Sequence, residues 1–422
     1  MFTSFSTALS ALNAMDTAID VVGNNLANLN TTGFKTSEVC FEDLVTQSLG
    51  ADLGETQVGF GVGQPLTVAQ FTQGAIQTTD GVLDGAIQGD GFFVVHDATG
   101  ETLYTRAGNF ETDKSGNLMT DTGDSVQGWM VDPATGKIDT NGPIGNIVVP
   151  TGSLSAATAT SNFSMNLNLN SSASADSTSD FSEPITVYDS LGNSHTLTIG
   201  FEKTGTNQWS YQITAPGGDV SGGTPGTPFD ISGASGTLTF DSDGTLTDPA
   251  AGSPVSFSLT GLTDGAADMN LNWNLYTTAG APTITQYSQP SAESASSQDG
   301  LAAGQLDSVG LSSGGQILAK YSNGDQLVVG QVALASIRNP DSLIAMGNNN
   351  FQLSALTAAP SIGVPGTGGR GEVVGGSLES STVDIAREFT NLITYQSGYE
   401  ANARVVTTAD QLAQDTINLI HP

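Results

Sequence analysis

The chain has little of what most catalytic and metal sites are built from. One cysteine, Cys40, stands alone in 422 residues, which excludes an intramolecular disulfide. The three histidines, His96, His195 and His421, lie far apart, none at ligand spacing from another or from Cys40. No zinc or other transition-metal site and no cofactor is therefore expected. Bases are equally scarce: 10 Lys and Arg face 42 Asp and Glu, a formal charge of −32. Between Lys137 and Lys320 the sole base is Lys203. Such a surface repels phosphate backbones, so nucleic acid is not an expected partner. No apolar run is long enough to span a bilayer. The start of the chain lacks the basic head, continuous apolar core and small-residue cleavage site of a secretory signal. Neither membrane insertion nor the general secretory route is expected.

Three letter-matches to catalytic or metal motifs fail on context. Gly310-Leu311-Ser312-Ser313-Gly314 has the G-x-S-x-G form, but no alternating strands and helices surround it, and only His421 lies downstream. Gly366-Thr367-Gly368-Gly369-Arg370-Gly371 has the G-x-G-x-x-G form inside a Gly-rich connector without a βαβ unit. Asp241-Ser242-Asp243-Gly244 begins like a calcium loop, yet Gly252 stands where the bidentate Glu is needed. The first is not expected to be a hydrolase nucleophile, the second is expected to be a loop and the third a solvent-facing turn, and no enzyme activity is expected.

What the chain does have is two apolar stripes at its ends. The first runs through Phe5, Leu9, Leu12, Met15, Ile19, Val22 and Leu26. The second runs through Ile385, Phe389, Leu392, Tyr399, Val406, Ala413, Ile417 and Ile420, with Gln396, Ala403 and Asp410 at the weaker turns. Spacings that average 3.5 keep such residues on one side of an α-helix, the pattern of a seam between helices. Pairing the two helices alone leaves little margin against the entropy of ordering them, so the stripes point to burial against further copies of the chain. Frayed ends in an isolated molecule and ordered ends in a polymer are expected.

Between the ends, 52 Gly and abundant Ser, Thr and Asn indicate short strands joined by turns. Asn24, Asn25, Asn28 and Gly33 stop the first helix, and Phe34 anchors the next segment. Residues 36–73 show no sustained period and read as extended connection. GDGFFVV at 89–95 is a tight turn feeding an apolar strand, and Asp113 to Asn117 is a second turn. The Ser-, Ala-, Thr- and Asn-rich stretch 150–180 reads as a surface connection, as does 288–300. Period-two alternation at Leu197, Ile199 and Phe201, at Trp209, Tyr211 and Ile213, at Val255, Phe257 and Leu259, and at Met269, Leu271, Trp273 and Leu275 marks an all-β middle.

The expected fold is mainly β with α-helical termini, in discontinuous nested domains. A coiled-coil-like inner domain takes 1–35 and 380–422, and extended connectors take 36–73 and 360–379. A β-domain built from both flanks takes 74–148 and 300–359, and an inserted β-sandwich or barrel takes 149–299.

Several long blocks resemble one family, the axial proteins of the bacterial flagellum that form rod and hook. They are ALNAMDTAIDVVGNNLANLNTTGFKTSEVCFEDL, GAIQTTDGVLDGAIQGDGFFVV, YTRAGNFETDKSGNL and GSLESSTVDIAREFTNLITYQSGYEANARVVTTADQLAQDTINLI. VYDSLGNSHTLTIGFEK and YSNGDQLVVGQVALASIRNPDSLIAMGNNNF are similar to the hook branch, whereas shorter rod members lack the inserted domain. The resemblance implies a structural subunit that polymerises into a hollow, curved joint carrying torque from motor to filament. It also implies type III export to a place outside the cell, and contacts with the distal rod, the hook cap, the hook-filament junction proteins and the export gate. Phe5 and Leu9 match the family's export-recognition spacing, and equally belong on any amphipathic helix. A distal rod-type subunit, or an exported acidic adhesin or surface-layer protein, is the alternative reading.

Overall fold

The computed structural model describes residues 2–44, 46–49, 56–132, 134–175 and 181–420. Side chains are described for these except 2, 3, 46–49, 56–58 and 418–420. The chain folds into two units. One comprises Met1–Thr151, Val309–Ala319 and Leu327–Pro422; the other comprises Gly152–Ser308 and Lys320–Gln326. Each is mostly β, and the helices α1 (Phe2–Ala27) and α2 (Ile385–Ile420) both belong to the first.

In the first unit the β-structure is stitched from both flanks. The strand Phe92–His96 pairs antiparallel with Thr102–Thr105, with Ser125–Asp132 and with Leu334–Ser336 from the far end of the chain. All of Phe92, Phe93, Val94 and Val95 are buried, so this strand is covered on both faces. Phe92 and Val94 join Tyr104, Trp129, Ala335 and Phe351 on one side. Phe93 sits edge-on to Phe110, 5.0 Å between ring centres, on the other. Glycines at φ 100° (Gly89) and 132° (Gly91) make the turn that feeds this strand.

The stretches expected as extended connectors are paired strands. Within 36–73, Ser37–Cys40 pairs with Leu66–Ala69 and Thr46–Leu49 with Thr56–Gly59, giving a two-tiered hairpin. Within 360–379, Ser361–Gly363 pairs with Leu334–Ser336, Glu372–Gly375 with Gly85–Gln88, and Ser377–Glu379 with Ile76–Thr78. These strands are three or four residues long, too short to show a period.

The second unit is a β-sandwich of two five-stranded sheets. One is an antiparallel meander of Phe181–Tyr188, Ser194–Gly205, Gln208–Pro216, Pro228–Phe240 and Leu246–Asp248. The other is centred on Asn162–Asn168, flanked by Met269–Trp273 in parallel and Ala292–Gln298 antiparallel. The inward residues of both sheets form one core. Trp273 of the second sheet stacks on Phe163 and meets Tyr211 of the first edge-on at 5.3 Å. The polar stretches 150–180 and 288–300, expected as surface connections, thus supply two strands of this sheet. Their outward positions are Asn and Ser, which masks Phe163, Met165 and Leu167 facing the core. Gly244 takes φ 78° in a turn closed by Asp241 Oδ1, which accepts from the amides of Asp243 and Thr245.

Candidate self-association surface on the terminal helices

The two helices lie against each other, antiparallel. Val22 lies in one cleft with Glu388, Asn391 and Tyr395, while Met15, earlier in α1, meets Gly398, later in α2. A Cβ built at Gly398 would stand 3.3 Å from Met15 Sδ, so glycine allows the close approach. At equal rise per residue, Phe2 falls near Gln411, and the last turns of α2 run past the start of α1.

On the α1 side the seam is lined mostly by small residues. Ala8, Ala14, Ala18 and Val22 are the buried residues of α1, with Asn25 continuing the row. On α2 the row facing inward is Glu388, Asn391, Leu392, Tyr395, Gly398 and Asn402. The stripe expected from large residues is distributed around this seam. Val22 is buried; Leu12, Met15, Ile19, Leu26, Leu392, Val406 and Ala413 are half-buried; Phe5, Leu9, Ile385, Phe389, Tyr399 and Ile417 are exposed. The side chain of Ile420 lies outside the described residues. Ile393 at 64% exposure, Val405 and Leu412 extend the uncovered apolar surface and were not part of the expected stripe. Small residues at an interface let two helix backbones approach and leave the bulky residues on the outside, a distribution that a search for large apolar residues does not resolve.

The exit from α1 is held by its asparagines. Asn25, 1% exposed, donates from Nδ2 to the Ser37 carbonyl at 2.9 Å and accepts the Ser37 amide on Oδ1 at 3.0 Å, as a neighbouring strand would. Asn28 donates to the Asn24 carbonyl at 2.9 Å and accepts from Thr31 Oγ1 at 3.1 Å. Gly33 has φ 70° and its amide donates to the Glu379 carbonyl at 2.8 Å. A Cβ there would fall 2.7 Å from the Ala107 amide nitrogen, so both backbone conformation and space require glycine. Phe34, expected as an anchor, is half-buried and accepts the Thr382 amide on its carbonyl at 3.2 Å.

Beneath this exit lies a buried ionic cluster that sequence reading missed. Glu379 accepts from Lys35 Nζ and from the Gly74 amide on Oε1, at 2.8 and 2.7 Å, and from Arg106 Nη1 on Oε2 at 3.3 Å. Lys35 also donates to the Thr72 carbonyl at 2.7 Å, and Arg106 to the Gly89 carbonyl at 3.0 Å. Exposure of all three side chains is at most 3%. Burial pushes the Lys35 ammonium below its usual value against the attraction of Glu379, and does the same to Arg106. Two of the ten bases in the chain are thus committed to one carboxylate. The three residues are far apart in sequence, and only the scarcity of bases in the chain hinted at Lys35 and Arg106.

Comparison with known proteins decides what this surface belongs to. Models of four flagellar families match in chain order: the flagella basal body rod protein at 5–35, the FlgE/F/G D1 domain of flagellar hook protein at 86–166, the flagellar basal body protein FlaE D2 domain at 168–301, and the C-terminal FlgEFG basal body rod domain at 374–419. The flagellar hook protein FlgE of Treponema pallidum is 34% identical over 99% of this chain and all of its own length. That of Escherichia coli is 33% identical over the same shares. The chain belongs to the flagellar hook protein FlgE family.

FlgE-family membership makes the chain a structural subunit of the flagellar hook, located in the flagellum and not in an enzyme class. A crystal structure of Helicobacter pylori flagellar hook protein FlgE2 shares the fold, at 14% identity and a TM-score of 0.50, covering 72% of this chain and all of that one. The two terminal family matches coincide with the elements described above. One covers α1 from residue 5 and its Asn-Gly exit, and the other begins within the strand Glu372–Gly375, takes in the strand that carries Glu379 and ends in α2. No described helix is long and apolar enough to cross a membrane.

Proposed function

We propose that the chain polymerises through the apolar surface left uncovered on its paired terminal helices, building a hollow helical tube that bends while it transmits torque. The observation that carries this is the exposure of Phe5, Leu9, Phe389, Ile393, Leu412 and Ile417 on helices that already pack against each other along another face. Apolar side chains of this size along two helices form a patch that calls for a protein partner. Because α2 runs past α1, the surface offered at one end differs from that at the other. Contacts between copies are then heterologous and extend without closing. The exit built from Asn25, Asn28 and Gly33 fixes the direction in which the helices leave the β-structure.

Before assembly the same surface is free for export. Phe5 and Leu9 are exposed, in keeping with a signal read by a type III gate, and the distal rod, hook cap and hook-filament junction proteins would meet the assembled ends. The test compares the full chain with chains lacking residues 2–27 or 385–420. The full chain is expected to form tubes visible by electron microscopy, and both shortened chains to stay monomeric with their sandwich folded. The chain lacking 2–27 is also expected to accumulate inside the cell. Tubes from either shortened chain would refute the assignment of cohesion to the helices.

A further inference from the structure

His195 opens the strand Ser194–Gly205, at the edge of the sandwich, and three carboxylates surround its ring. Its residue exposure is 5% and that of Asp189 is zero. Nδ1 lies 2.9 Å from Asp219 Oδ2. Nε2 lies 3.3 Å from Asp189 Oδ2 and 3.5 Å from Asp264 Oδ2.

The carboxylates are aimed. Asp189 Oδ1 accepts the amides of Leu191 and Asn193 at 2.8 and 2.9 Å, and Asp264 Oδ1 accepts the Ala266 amide at 3.0 Å. Each acid is thus fixed by its outer oxygen, leaving Oδ2 directed at Nε2. Asn193 Nδ2 donates to both of these inner oxygens, at 3.2 and 3.1 Å, and so holds two like charges side by side.

The contact of Nε2 with Asp189 Oδ2 is within hydrogen-bond reach, and both separations also match those of ligand atoms around one ion. Values of 3.3 and 3.5 Å are long for a charge-assisted hydrogen bond, which is commonly about 2.7–2.9 Å. A tetrahedral ion with bonds of about 2.0–2.2 Å sets neighbouring ligand atoms roughly 3.3–3.6 Å apart. The short contact is instead on the other nitrogen. Asp219 on Nδ1 orients the ring and fixes its tautomer, the arrangement by which a metal-binding histidine is held from behind.

We propose that His195 Nε2, Asp189 Oδ2 and Asp264 Oδ2 form a binding site for one divalent transition-metal ion, with Asp219 as the positioning residue behind the imidazole. All three ligand atoms lie within 4.8 Å of one another. One imidazole and two carboxylates suit zinc and its neighbours better than magnesium or calcium, which take all-oxygen sites. The Asp264 side chain, 26% exposed, marks the side from which an ion and a fourth, water ligand enter. The ion would tie the turn at 189–193 to the loop at 261–268, two segments also joined by Asn193 Nδ2 to Asp264 and by the Ala267 amide to Ser190 Oγ. Sequence spacing could not show this, because Asp264 arrives from a distant loop.

The test is calorimetric titration of the full chain with zinc chloride after chelator treatment. One zinc per chain is expected, not displaced by equimolar magnesium. His195→Gln and Asp264→Asn should each abolish that binding, and Asp219→Asn should weaken it by about 10–100-fold. His96→Gln should leave it unchanged. Near-ultraviolet circular dichroism of the sandwich tryptophans checks that each variant is folded; Asp264→Asn, at the solvent edge, serves if His195→Gln is not. Zinc binding of equal strength in the folded Asp264→Asn chain, or only weak binding at many sites, would overturn the proposal.

Discussion

At the scale of single residues, stability rests on a few charges with no access to water. Glu379 serves two buried cations and a backbone amide, and its strand lies beside the exit of α1. Glu379→Gln leaves Lys35 without its carboxylate partner and facing Arg106, to which only Asp90 still offers a charge of opposite sign. Removing one partner of a buried ionic group costs about 3–5 kcal/mol. Because both helices lie in the first unit, the urea midpoint read at the helical wavelength should fall sharply; a midpoint within error of the parent would show that the cluster is solvated. Asp299, at an exposed position in the sandwich, is a carboxylate of the other kind, open to water and held by hydrogen bonds. Its Oδ1 accepts the amides of Ser161 and Asn162, and its Oδ2 accepts Asn162 Nδ2, all at 2.8 Å. Partial burial disfavours its charge, but the Asn162 and Ser161 bonds outweigh that and hold the carboxyl below the usual range. Since the folded value is the lower one, its contribution is complete above about 3.9, the unfolded value, and is lost as pH falls through the folded value. The gap in unfolding midpoint between the parent and Asp299→Asn should therefore be present at pH 7 and shrink towards pH 2. A gap that stays constant would remove the ionised carboxylate from the account.

At the scale of elements, what was legible depended on how much side-chain contrast each one carries. Strands with aromatic alternation, such as Gln208–Pro216 and Met269–Trp273, are plain in the sequence because inward Trp, Tyr and Leu alternate with outward polar residues. Ala292–Gln298 is illegible. Its side chains are exposed or half-buried, and it is specified by backbone pairing to Asn162–Asn168, whose own apolar alternation is hidden among Asn and Ser. Both helices were legible in place and length, because a 3.5 spacing survives any choice of face. The seam was legible in part: Met15, Val22 and Leu392 stand in the expected stripe, whereas Ala8, Ala14 and Ala18 lie one position away from its large residues. Two substitutions separate the faces. Ala18→Leu puts a bulky side chain at a fully buried contact and should cost about 1–3 kcal/mol in the single chain through overpacking. Ile393→Ser lies on the outer face and should change single-chain stability by less than about 0.5 kcal/mol, yet raise the concentration needed for assembly. Helical dichroism and sedimentation measure the two effects. Loss of single-chain stability in Ile393→Ser would place that residue in the intrachain seam.

At the scale of the whole molecule, cohesion and repulsion are assigned to different parts of the chain. The apolar surface belongs to the terminal helices, whereas the net charge of −32 is weakly balanced anywhere and least of all in the middle. The one base between Lys137 and Lys320, Lys203, is turned inward to the carbonyls of Ser171 and Ala173, so it offers little charge to the exterior. Copies brought together by their helices must therefore bring like charge together. Repulsion between exposed carboxylates acts over about 30 Å at 0.01 M salt and about 10 Å at 0.1 M. Burial of apolar side chains is nearly unaffected over that range, so added salt should lower the threshold concentration for assembly by weakening the opposing term alone. Replacing exposed acids of the insert, for example Glu202→Gln, Asp230→Asn and Asp243→Asn together, should lower the threshold at 0.01 M and flatten its dependence on salt. Light scattering across protein and sodium chloride concentrations measures both. A threshold that does not move with salt in the parent chain would mean that the acidic surfaces of neighbouring copies stay farther apart than the screening length, and that the helices alone set the strength of the polymer.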